Sequence, residues 1–69
     1  MKQEQIEYIK KMYPRGTMVQ LDFMDDPRPV PSGTKGEIIA VDGIGQIHVV
    51  WENGSTLALN IECDMFHKI

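Results

Sequence analysis

Hydrophobic and polar residues alternate with two different periods along this chain. Gln3 to Met12 places Ile6, Ile9 and then Tyr13 at i, i+3 and i+7 with charged residues between them, which is the spacing of one apolar helical stripe. A short amphipathic helix is expected there. Pro14 disfavours helical dihedrals at Tyr13, and Pro14-Arg15-Gly16 breaks the chain, so the helix should stop near Met12. So short a helix does not persist alone in water and must dock or fray. From Thr17 to Met24 the period drops to two. Val19, Leu21 and Phe23 fall on one side, Met18, Gln20, Asp22 and Met24 on the other, as in a half-buried first strand. Glu37 to Val41 predicts a second strand in which Ile38, Ile39 and Val41 do not alternate cleanly. Either both of its faces are covered or a bulge sits near Ile39-Ala40.

The strongest local signal is Gly45 to Asn60, two apolar runs around Asn53-Gly54. Both residues tolerate the positive φ of tight hairpin turns. A two-residue loop would pair Trp51 with Thr56 and scatter apolar side chains over both faces. A three-residue loop, Glu52-Asn53-Gly54 with Gly54 left-handed, pairs Val49 with Leu57, Ile47 with Leu59 and Trp51 with Ser55. That register gathers Ile47, Val49, Trp51, Leu57 and Leu59 on one face, so burial selects it. Gln46, His48, Glu52 and Ala58 then point outward, and Val50 is the exposed misfit. Ile61 to Asp64 reads as a helical turn, and Met65 to Ile69 as a last short strand burying Phe66.

Between the first two strands, Asp25 to Ser32 carries prolines 27, 29 and 31, which exclude it from a central ladder and predict an extended loop. Gly33 to Gly36 reads as a turn. Five short strands with regular turn signals and an N-terminal helix predict a mainly β fold, a small five-stranded SH3-like barrel with residues 1–13 helical and 17–69 in the barrel. An OB-like barrel is second, because the chain is short and its helix is not inserted between strands.

Size, charge and cysteine content narrow the function classes. With 69 residues there is room for one small core, a single domain over 1–69. One cysteine, Cys63, excludes an internal disulfide and fits a reducing, cytoplasmic setting. No apolar run suits a membrane span, and the first residues lack the apolar core of a signal peptide. Ten acidic against seven basic side chains, net charge −3, disfavour a protein whose affinity depends on neutralising phosphates. Cys63, Asp64, His67 and His48 lack the paired spacing of a zinc site, and no orienting group or oxyanion hole accompanies the Cys and His. Asp25-Asp26 falls short of a calcium ligand set. No metal, cofactor or catalytic residue is expected, so the chain reads as a non-enzyme.

The strings YPRGTMVQL, MDDP, PSGTKGEI, VDGIGQIHVVWENGSTLAL and DMFHKI resemble the bacterial and phage family called domain of unknown function 4314, over Tyr13 to Ile69. Glu52 stands where that pattern usually has Asp, and Val50 where it often has a charge. The GxxGxV and VxWxNGS segments are also similar to SH3-like interaction modules fused to ubiquitin ligases. The resemblance implies a small β domain and no mechanism. A monomeric protein-interaction module is therefore expected, docking a protein partner on the loop Met24 to Gly36 through Met24, Asp25, Asp26, Arg28, Val30 and Lys35, beside the outward Met18, Gln20 and Asp22. In that reading Met24 and Val30 offer apolar contact inside a polar rim, and the prolines limit the entropy lost on binding. The alternative is a nucleic-acid-binding accessory protein in which folding gathers Arg15, Arg28 and Lys35, drawn from the scattered Lys10, Lys11, Arg15, Arg28, Lys35 and Lys68.

Overall fold

The computed structural model describes residues 2–69. Helix α1 (Gln3–Met12) is followed by strands β1 (Met18–Phe23), β2 (Lys35–Val41), β3 (Ile47–Trp51) and β4 (Met65–Lys68). The helix starts where the Gln5 side chain accepts the Lys2 backbone N–H at 3.0 Å. It ends where Tyr13 N–H reaches the Ile9 carbonyl ahead of Pro14. Glu4 in its first turn and Lys10 and Lys11 in its last complement the helix dipole. Ile6 and Ile9 are buried, and Ile9 joins the main core, so the helix docks on the sheet as its stripe requires.

The strands form one antiparallel sheet in the order β3-β2-β1-β4. Its inner face holds Val19, Leu21, Ile38, Ile47, Val49 and Trp51, closed by Ile9, Met24, Val30 and Leu59. The irregular apolar pattern of β2 has its cause in a bulge. Ile38 faces Val49 and Ala40 faces His48, which leaves Ile39 without an opposite residue.

The sheet has four strands, not five, and it is open, not a closed barrel. The missing strand is the segment after the Asn53-Gly54 turn. Its register is nevertheless the expected one at both ends. Ile47 and Leu59 exchange both backbone hydrogen bonds, at 2.9 and 2.7 Å, and Trp51 N–H donates to the Ser55 carbonyl at 3.0 Å. Gly54 has φ of 87°, and its N–H closes the turn on the Trp51 carbonyl. Between those ends the ladder is interrupted at Leu57, because both of its peptide groups are satisfied elsewhere. The Leu57 N–H donates to Ser55 Oγ at 3.2 Å, and its carbonyl accepts the Trp51 indole N–H at 2.9 Å. Val49 and Leu57 therefore make no ladder pair. Trp51 is buried in the core and Val50 is exposed, both as the burial argument requires.

Candidate functional site

A second bulge decides what the loop after β1 presents. In the β1–β4 ladder Leu21 faces Phe66 and Phe23 faces Met65, so Asp22 is the extra residue. The insertion reverses the inward and outward parity of the strand from that point. Phe23, expected inside, is 52% exposed, and Met24, expected outside, is 5% exposed. Val30 is likewise buried, at 3%. The apolar contacts expected toward a partner at Met24 and Val30 are thus core contacts. Continuous alternation from Val19 to Met24 gave no sign of the extra residue.

The remaining residues of the expected site, Asp25, Asp26, Arg28 and Lys35, are exposed. Their backbone is held in place. The buried Asp64 carboxylate accepts the Asp25 N–H on one oxygen and the Asn60 N–H on the other, both at 2.8 Å, tying the loop to the turn before β4. Asp26 Oδ1 accepts the Arg28 N–H at 2.8 Å, an Asx turn that opens the proline-rich stretch. At the far end Gly33 and Thr34 rejoin β1 through Leu21, and Gln20 Nε2 donates to the Gly33 carbonyl at 3.0 Å. The loop is anchored at both ends and by Val30 in the middle.

Phe23 and Met65 complete the surface beside this loop. They face each other across β1 and β4, and Met65 is 64% exposed. Phe23 lies two residues before Asp25, and Met65 directly follows Asp64, whose carboxylate holds the Asp25 amide. The apolar pair therefore adjoins the anchored start of the loop at Asp25, with Asp22 and His67 joined at 2.9 Å on the neighbouring positions. Farther along the same outer face, Val50, Glu37 and Met18 are opposite one another across three strands, and Ile69 N–H donates to the Met18 carbonyl. Lys35 faces Gln20, which faces His67, in the row between. The outward positions Met18, Gln20 and Asp22 are where alternation placed them.

The candidate chemical groups do not converge. His48 is bonded to Asp42 at 2.8 Å, and His67 to Asp22. The Asp42 carboxyl is held below its ordinary range chiefly by the hydrogen bond from His48, against the opposing effect of burial, with further lowering from the Gln46 and Ile44 N–H groups. Cys63 is an exposed thiol in the turn before β4. Among the described residues no three His, Cys, Asp or Glu side chains group as metal ligands. No described helix is long and apolar enough to cross a membrane.

Residues 2–69 match the family described as Domain of unknown function (DUF4314). No curated protein and no solved structure matches the chain.

Proposed function

The chain belongs to the DUF4314 family, and we propose that it is a small non-enzymatic interaction module that binds a protein partner at the corner formed by Phe23, Met65 and the loop residues Asp25, Asp26 and Arg28. The observation that carries this reading is the exposed Phe23–Met65 pair beside a rigidly held, charged loop. A phenylalanine and a methionine turned to solvent on adjacent strands are the apolar centre of a small interface, and the Asp and Arg side chains are its polar rim. Methionine adapts to the shape it meets, and phenylalanine supplies a large contact area at low entropy cost. The prolines and the Asp64 anchor keep the rim ordered before binding, so little further ordering is needed. Net charge −3 favours a protein partner over nucleic acid. The exposed single thiol supports a reducing, cytoplasmic compartment.

The test is comparative capture from the source cell followed by titration of the purified captured protein. The native chain should retain one protein that F23S/M65S loses, while circular dichroism of the variant stays native, because both side chains lie outside the core. The D25S/D26S/R28S variant should weaken the same complex by about tenfold, in keeping with loss of rim charges. Unchanged affinity in F23S/M65S would remove the corner from consideration.

A further inference from the structure

We infer that a second, separate binding site lies in the groove between α1 and the turn before β4, and that it takes an extended polypeptide segment with a bulky apolar side chain flanked by Lys or Arg. The groove has a volume of about 360 Å³ and is lined by Glu4, Gln5, Tyr8, Ile9, Ile61 and Glu62. That volume suits one large side chain with its adjoining backbone. Ile9 is buried at its floor and Ile61 packs against the core from the other wall. Tyr8 lines it and is 62% exposed, which leaves an apolar ring free to meet a ligand.

Charge selects the occupant. Glu4 stands on the helix wall and Glu62 on the turn wall, and among the described residues neither makes an ion pair. The lining residues include no base, whereas the helical lysines Lys10 and Lys11 lie in the last turn, away from Glu4 in the first. Two carboxylates on opposite walls of an apolar cleft favour a ligand that carries positive charge on both sides of its apolar group and repel an acidic one. The wall amide Gln5 is already engaged, its carbonyl oxygen accepting the Lys2 N–H, which leaves its side-chain NH₂ to donate to a ligand carbonyl. The helix-in-groove mode is not available, because the cleft is only as long as the step from Glu4 to Ile9, about one and a half turns.

The experiment is a selection of random displayed dodecapeptides against the full chain, followed by titration of the enriched peptide. Enriched sequences should share an aromatic or branched aliphatic residue flanked by Lys or Arg, and binding should weaken as salt rises. The bound peptide should move the amide resonances of Tyr8, Ile61 and Glu62. E4Q/E62Q should weaken it at least about tenfold, the scale of losing a close charge pair on each side. E62K, which leaves α1 untouched, should abolish detectable binding. F23S/M65S should leave the affinity unchanged, which separates this groove from the corner at β1 and β4. Absence of enrichment, enriched peptides without basic residues, or full affinity in E62K would each overturn the assignment.

Discussion

Gly36→Ala should be among the most damaging single-methyl additions in this protein. Gly36 lies in β2 opposite Trp51, with no positive φ to explain the glycine. Space explains it. A Cβ there would stand 2.5 Å from Val49 Cγ1, 2.8 Å from Trp51 Cε3 and 3.0 Å from the Val50 carbonyl oxygen. Carbon atoms in contact settle at roughly 3.5 to 4.0 Å, so the first two distances are short by about 1 Å. Neither neighbour is free to retreat. Val49 and Trp51 are both fully buried, and the indole is fixed by its bond to the Leu57 carbonyl at 2.9 Å. The Val50 carbonyl belongs to the backbone of β3. Forcing a methyl group into a packed core costs about 1 to 3 kcal/mol, and the rigid surroundings place this site at the upper end. Restricting the unfolded chain returns about 0.4 to 1 kcal/mol. The net loss is about 2 kcal/mol or more from a domain whose total stability is on the order of 3 to 7 kcal/mol. For a chain of this size a loss of about 2 kcal/mol lowers the melting temperature by roughly 8 to 16 °C. Gly43→Ala is the control, since Gly43 has open space around it and no positive φ, and it should melt within a few degrees of the native chain. Thermal unfolding by circular dichroism measures both. A Gly36→Ala protein that melts with the native one would refute the close approach of β2 to Trp51.

Gly54 tests conformation in place of space. Nothing lies within 4 Å of its would-be Cβ, but φ is 87°, so Gly54→Val should lose about 1 to 2 kcal/mol by chemical denaturation and Gly54→Asn markedly less. Asp64→Ala leaves the Asp25 and Asn60 amides without their acceptor and should cost about 2 to 4 kcal/mol, with amide exchange accelerated first in the loop after β1. Asp42→Asn has a pH signature. Because the folded carboxyl titrates below its ordinary range, its stabilisation is fully present above that range and is lost as pH falls through the folded value. The variant should therefore melt below the native chain at neutral pH, with the gap closing in acid. A gap that widens on acidification would reverse the sign.

Much of this architecture is legible in the residues. The helix ends at Met12 because Pro14 follows, the broken alternation of β2 allowed the bulge at Ile39 as one of two readings, and Gly54 marks the three-residue turn. Two features were not legible, and both turn on where a single peptide group finds its partner. The segment from Ser55 to Leu59 has the pattern of a strand, but the Trp51 indole and the Ser55 hydroxyl take the Leu57 peptide groups, and only the Ile47–Leu59 bridge of that strand remains. Asp22 adds one residue to β1, and that one residue exchanges Phe23 and Met24 between solvent and core. The consequence for the binding surface is direct. Asp25, Asp26, Arg28 and Lys35 are exposed as expected, but the apolar contact moves from Met24 and Val30 to Phe23 and Met65.

The most direct measurement of the corner's role is site-specific photocrosslinking in the source cell, with a photoreactive phenylalanine analogue replacing Phe23 in one variant and Glu52 in another. Phe23 is at the proposed interface, while the exposed Glu52 follows β3 at the opposite edge of the sheet. A partner seated on Phe23 and Met65 predicts one dominant crosslinked protein from position 23, absent from position 52 and suppressed when Met65→Ser is added. Equal crosslinking from both positions, or none from position 23, would contradict it.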